Sequence, residues 1–160
     1  MDATIRRLQN NLVTLGTGAI VFGVWTVIKY LVYCLIDRPD LSEYAATVPE
    51  NVMTILFIVV TMSLAFFDFI LRCIIGFSAR AEGHGKKKGV FYLFITVITI
   101  LIYFLGVSAE VYKFITVPEN LLRNATTLII DATSFILLIE IIYSSIKLKK
   151  LLKLQGGANE

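Results

Sequence analysis

The stretch Thr47-Val48-Pro49-Glu50-Asn51 returns unchanged as Thr116-Val117-Pro118-Glu119-Asn120, and a long apolar run follows each copy. Both copies match the S/T-x-x-E capping box, in which the Thr and Glu side chains bond to backbone N–H groups at the start of a helix. A proline in the first helical turn loses no hydrogen bond, because those N–H groups have no partner within the helix. Each copy therefore predicts a helix N-terminus. The expected capping residues are Thr47, Glu50, Thr116 and Glu119.

The repeat divides the chain into two halves, and each half reads as an apolar helix, a polar loop and a second apolar helix. Each of the four apolar segments is close to the roughly 20 residues that a helix needs to cross a bilayer. Helices one and three would cross in the same direction, so we predict two parallel repeats, about 12–77 and 90–148, joined by a cytoplasmic loop, 78–89. The four apolar segments are about 12–36, 52–77, 90–107 and 121–146.

The composition is that of a membrane protein. Of the 160 residues, 57% are hydrophobic and only 17% are charged, whereas a soluble domain carries more charge. The apolar segments are long and do not alternate with polar residues, which argues against a β-barrel. We therefore predict an all-α integral membrane protein, with residues 1–160 forming a single four-helix transmembrane bundle.

Basic residues concentrate at the N-terminus, in the middle loop and at the C-terminus, while the two remaining loops are mainly acidic. The positive-inside rule then predicts that both termini and the middle loop are cytoplasmic, in a plasma membrane or bacterial inner membrane. We interpret these residues as orientation signals and contacts to anionic lipids. No basic groove with interleaved aromatic residues is apparent, so nucleic acid is not an expected partner. The basic residues are Arg6, Arg7, Arg80, Lys86, Lys87, Lys88, Lys147, Lys149, Lys150 and Lys153.

The first predicted helix carries small residues on one face. Gly16, Ala19, Gly23 and Thr26 follow one another at spacings of three and four, and small side chains allow two helix backbones to approach closely. We expect this face to pack against another helix. Residues 1–11 precede it and allow two interpretations, a separate interfacial helix or a plain extension of the first helix.

Five ionisable residues fall within the predicted helices, where each costs about 3 kcal/mol or more. At about 1.5 Å per residue, Lys29 and Asp131 both lie about 12 Å below the outer surface, so the two side chains can pair. Asp68 and Arg72 are four residues apart and can form an ion pair within one helix. Glu140 lies at the depth of Arg72, so we expect it to join Asp68 and Arg72 in an inner cluster.

These charges allow two interpretations. Asp131 lies on one helical face with Thr127 and Ser134, as an ion or proton pathway requires. Alternatively, the charges form internal salt bridges that fix the helix register. Asp131 and Glu140 are nine positions apart and so lie on opposite helix faces, one toward the bundle centre and the other toward a second subunit.

We predict a small oligomeric channel or transporter for ions or small solutes, because four helices rarely enclose a wide pore without a second subunit. The alternative is a non-catalytic membrane subunit that binds a partner membrane protein through the small-residue face of the first helix and the outer loops. A membrane enzyme is the least favoured class, because no residue pattern supplies a nucleophile with its base. Neither a cofactor nor a metal is expected.

Overall fold

The computed structural model describes residues 2–36, 49–116 and 121–156, and within these ranges the chain forms four long α-helices. Each of the four helices is long and apolar enough to cross a membrane, which confirms the all-helical class and the expected candidate spans. The helices are α1 (Asp2–Leu35), α2 (Glu50–Gly83), α3 (Phe91–Thr116) and α4 (Leu121–Gly156).

All four helices extend beyond the apolar segments that predict them. Helix α1 begins at Asp2, so residues 1–11 continue the first helix from that point and do not form a separate interfacial helix. Helix α2 continues to Gly83, which shortens the predicted 78–89 loop to the residues after this glycine. The extensions of α1, α2 and α4 remain helical because they pack together at one end of the bundle, where Leu8 and Leu148 are buried.

The neighbouring helices run antiparallel to one another. In the extensive contact between α1 and α2, Gly16 lies against Gly76 and Gln9 lies against Gly83, so the numbering rises in one helix as it falls in the other. Helix α4 packs against both α1 and α3, whereas α2 and α3 touch only sparsely. The result is an up-and-down four-helix bundle in which the α2–α3 side is the least tightly closed.

Glycines bring α1 and α2 unusually close together. A Cβ added at Gly16 would lie 2.6 Å from the carbonyl oxygen of Gly76, and one at Gly76 would lie 2.5 Å from the carbonyl oxygen of Gly16. Ala19 is fully buried between these contacts, and Gly23 faces the side chains of Phe69 and Arg72. The small-residue face of α1 therefore packs against α2, which presents a matching set of small residues. This set is Gly76, Ala79 and Gly83.

The expected capping residues have different positions in the structure. Glu50 is the first residue of α2, and Pro49 occupies the N-cap position without a side-chain cap hydrogen bond, whereas the capping box predicts Glu50 as the third residue of the helix. Thr116 instead ends α3, and its hydroxyl donates to the carbonyl oxygen of Tyr112 at 2.8 Å. The expected cap of α4 is thus wrong at Thr116, because the hydroxyl bonds back to its own helix. Thr47 and Glu119 lie outside the described residues.

Candidate functional site

A cavity of about 380 Å³ lies between the four helices, in the half of the bundle where α1 ends and α2 begins. Most of its wall is apolar, and residues of α2 and α3 supply this part. Several of these wall residues are also exposed on the outside of the bundle, so the cavity borders the surface between α2 and α3. The apolar lining side chains are Leu64, Phe67, Leu71, Ile102 and Val107.

An ion pair crosses the cavity wall between α1 and α4. The Lys29 ammonium donates to Asp131 Oδ2 at 2.5 Å, and the two side chains remain 25% and 15% exposed. Charge-assisted hydrogen bonds of this kind are short and strong. This is the pairing that the equal depth of the two residues predicts, and it joins two helices within one chain.

A second ion pair lies beside the first and involves three helices. Arg72 Nε donates to Asp68 Oδ2 at 3.0 Å, and the Tyr103 hydroxyl donates to the same oxygen at 3.0 Å. The Arg72 guanidinium also lies 4.4 Å from the centre of the Tyr103 ring, a cation–π contact. Thr26 of α1 lies 3.5 Å from the Tyr103 hydroxyl. Asp68 is therefore held by donors from α2 and α3.

Arg72 is the most deeply buried charge of this group. Its side chain is 1% exposed, and one terminal nitrogen, Nη1, has no hydrogen-bond partner among the described residues. A buried charge that has lost water needs its partners, and removing one of them is strongly destabilising. The Asp68 pair and the Tyr103 ring thus hold the guanidinium in place.

The expected inner cluster of Asp68, Arg72 and Glu140 is wrong. Glu140 is exposed, and within the described ranges it forms no ion pair with Arg72, which is bound to Asp68 instead. Equal depth in the membrane does not bring Glu140 and Arg72 into contact, because α2 and α4 hardly touch. The rotation of α4 also turns Glu140 outward, while Asp131 faces the bundle interior.

The other two residues of the predicted pathway lie beside the cavity, not in its wall. Ser134 is buried, and its hydroxyl has no hydrogen-bond partner among the described residues. Thr127 is half-buried, one turn from Asp131 on the opposite side from Ser134. The polar face of α4 therefore continues past the cavity in both directions.

A second buried polar group, here called the Glu82 cluster, comprises Glu82, Tyr92, Ser145 and Lys149. The Tyr92 hydroxyl donates to Glu82, and Ser145 donates to the same oxygen at 2.9 Å. The Lys149 ammonium lies 3.7 Å from the other Glu82 oxygen and 5.3 Å from the centre of the Tyr92 ring. Glu82 is 5% exposed, so this carboxylate is buried at the end of the bundle opposite the cavity.

The sequence does not predict the Glu82 cluster, because Glu82 lies beyond the second apolar segment, in the expected 78–89 loop. A signal was present, since Ile75, Ala79 and Glu82 follow one another at spacings of four and three along α2. This periodicity continues the buried stripe of the helix past the end of its apolar segment.

A packed layer separates the cavity from the Glu82 cluster. It contains four side chains with no exposed surface, contributed by α1, α2 and α4. These side chains belong to the buried hydrophobic core of the bundle, so apolar packing lies between the cavity and the end of the bundle that holds the α1 N-terminus. The layer consists of Ala19, Ile75, Leu138 and Ile141.

Comparison of the chain with protein-family models, with curated proteins and with solved structures finds no match. The chemistry of the cavity therefore rests on its own geometry. Ionisable residues inside a membrane protein commonly mark a pathway for a substrate or an ion. Here two carboxylates, an ammonium, two phenols and a threonine hydroxyl line a cavity whose wall is mainly apolar, an arrangement that can bind a small polar or charged group.

Proposed function

We propose that this protein is a small membrane transporter that binds an ion or a small solute in the cavity between its four helices. The observation that carries the proposal is the Lys29–Asp131 pair, which lies in the cavity wall and remains partly exposed there. The packed layer behind the cavity favours a transporter over an open channel, since a bound solute can cross only after the side chains of that layer rearrange.

We infer that the basic end of the bundle faces the cytoplasm, in a plasma membrane or bacterial inner membrane. Antiparallel packing supports this orientation, because it groups the α1 N-terminus, the α2–α3 connection and the α4 C-terminus at one end, together with most basic residues. Exposed side chains there, such as Arg7 and Lys150, suit contacts to anionic lipids. The cavity then opens in the outer half, and the two halves of the chain form parallel repeats.

The test is flux of protons, alkali cations and small organic ammonium ions in liposomes that contain purified protein. The wild type is expected to dissipate an imposed gradient, and Asp131→Asn to slow this flux about tenfold or more, equivalent to about 1.4 kcal/mol of lost stabilisation. Glu140→Gln is the matched control, since it also neutralises an acid of α4 but at an exposed position outside the cavity.

Wild-type vesicles that are no leakier than empty ones, with helical content intact by circular dichroism, would contradict the transport proposal. Equal loss of flux in Asp131→Asn and Glu140→Gln would contradict the role of the cavity, because only Asp131 lines it.

The second candidate is a non-catalytic subunit, in an oligomer of this chain or with a partner membrane protein. Glu140 supports it, because this carboxylate lies exposed on α4 beside the exposed side chains of Ile136, Ile139 and Tyr143. An acid that faces lipid is costly unless another helix supplies a donor. Co-purification of a stoichiometric partner, or of a second copy, that Glu140→Leu abolishes would favour this function.

A further inference from the structure

The groups that face the cavity have an excess of negative charge. Asp68 and Asp131 both line it, whereas Lys29 is the single lining cation among the described residues. Arg72 lies behind Asp68 and is almost fully buried, so it balances the total charge without presenting its own charge to the cavity. A bound molecule therefore meets two carboxylates and one ammonium.

The walls favour an organic cation over a hydrated inorganic ion. Apolar side chains such as Leu71 and Val107 form most of the surface, and they cannot replace the water that a small metal ion loses. Aromatic rings line the cavity at Phe67 and Tyr30, and the Lys29 ammonium lies 5.9 Å from the centre of the Tyr30 ring. Aromatic faces attract organic ammonium groups in the same way. A molecule with an apolar body and one positive group matches both parts of the wall.

The cavity is also accessible to a molecule dissolved in the membrane. Leu64, Phe67 and Ile102 line it and are more than half exposed on the outside of the bundle. These residues belong to α2 and α3, which touch only sparsely. An amphiphilic molecule can therefore enter sideways between these two helices, with its apolar body partitioned into lipid beforehand.

The Lys29–Asp131 pair already shows how an ammonium group fits the site. The Lys29 ammonium lies 2.5 Å from Asp131 at the end of a flexible side chain, which can move aside. We propose that the cavity binds an organic cation with an apolar body, and that the charged group of this ligand takes the place of Lys29 beside Asp131. This inference rests on the proposed transport function and names its substrate class.

The test is calorimetric binding of benzyltrimethylammonium to the purified full-length protein in detergent. Neopentylbenzene is the matched ligand control, because it has the same shape without the charge. The cation is expected to bind at least about tenfold more tightly, a ratio that reports about 1.4 kcal/mol of charge recognition. Equal binding of the two compounds would overturn the proposal.

Variants separate the roles of the two paired residues. Lys29→Met removes the competing ammonium and is expected to strengthen cation binding about tenfold, whereas Asp131→Asn weakens it by a similar factor. Glu140→Gln is expected to leave the affinity unchanged. Lys29→Gln, which keeps a polar head group, replaces Lys29→Met if the latter does not purify in folded form. Weaker binding in a folded Lys29 variant would show that Lys29 helps to bind the ligand and would overturn the exchange.

The binding experiment tests the ligand class and the flux experiment tests transport, so one proposal can be contradicted without the other. Calorimetry requires no movement across a membrane, so binding without any flux contradicts transport and leaves the ligand class standing. Flux of inorganic cations through the wild type, without binding of benzyltrimethylammonium, contradicts the ligand class and leaves transport standing.

Discussion

Asp68 receives two hydrogen bonds at one oxygen, from Arg72 in its own helix and from Tyr103 in α3. Glu82 likewise receives two, from Tyr92 of α3 and Ser145 of α4. In both places a tyrosine of α3 completes the coordination of an α2 carboxylate. A carboxylate can remain charged in an apolar interior only with such donors, so these two tyrosines stabilise the charged interior of the bundle.

Tyr92→Phe is expected to lower the free energy of unfolding by about 1–2 kcal/mol, because it removes a donor from a buried carboxylate. The measurement is unfolding in mixed micelles with increasing dodecyl sulfate. Tyr112→Phe is the matched control, since Tyr112 lies in the same helix but is exposed, and its effect should stay within about 0.5 kcal/mol. Equal effects of the two substitutions would show that Glu82 does not depend on the Tyr92 hydroxyl.

The charged residues of the site are easier to predict from the sequence than the uncharged ones. Lys29 and Asp131 were found by counting residues along the helices, because a charge within lipid requires a partner at its own depth. An uncharged side chain such as Tyr103 has no such energetic cost in lipid, so nothing in the sequence indicates that it donates a hydrogen bond to Asp68. Glu140 was misassigned because depth alone does not specify the direction in which a side chain points.

At the scale of the helices, the contact between α1 and α2 depends on the absence of side chains. The carbonyl oxygen of each of Gly16 and Gly76 lies within 2.6 Å of the position that a Cβ on the other residue would occupy. Close approach of this kind increases van der Waals contact between the helices. In lipid this contact stabilises helix association, because the hydrophobic effect no longer does so. The two helices therefore form the most tightly packed part of the bundle.

Gly76→Ala is expected to lower the free energy of unfolding by about 1–3 kcal/mol relative to Gly106→Ala, because its methyl group would overpack the contact. A Cβ at Gly76 would lie 2.5 Å from a backbone oxygen, whereas a Cβ at Gly106 has nothing within 4 Å. Both substitutions gain the same helix propensity, so their difference in the same dodecyl sulfate titration isolates the contact. If the two variants are equally stable, α1 and α2 do not approach as closely as described.

The spacing of small residues predicted half of this contact. Gly16, Ala19 and Gly23 marked the close face of α1, and the matching residues of α2 had the same signature. The sequence does not predict this half of the contact, because Ala79 and Gly83 lie beyond the apolar segment, in the expected loop. Helix ends are poorly predicted from hydropathy for this reason, since a helix continues into water wherever its inner face remains packed.

At the scale of the whole molecule, the bundle has a cavity with two ion pairs in one half and the Glu82 cluster near the opposite end. A packed apolar layer separates them. The number of helices long and apolar enough to cross a membrane follows from length and hydropathy alone. The cavity cannot be predicted from length and hydropathy, because its position depends on the rotation of four helices about their axes and on the loose contact between α2 and α3.

The most direct measurement is the water accessibility of the cavity. Gly106 lines the cavity and has room for a side chain, so Gly106→Cys is suitable for labelling with a charged, membrane-impermeant thiol reagent. Cys34 and Cys73, which are free thiols, are replaced by alanine beforehand. Leu105→Cys is the control, because Leu105 is strongly exposed and, in a membrane, faces lipid.

We expect the reagent to label Gly106→Cys from the outer side of sealed vesicles and to leave Leu105→Cys unmodified, because a transport cavity contains water. Added benzyltrimethylammonium should protect Gly106→Cys. An unmodified Gly106→Cys, in protein that is folded and inserted, would contradict the account, since the cavity would then be closed to water and the ion pairs would serve only to hold the helices together.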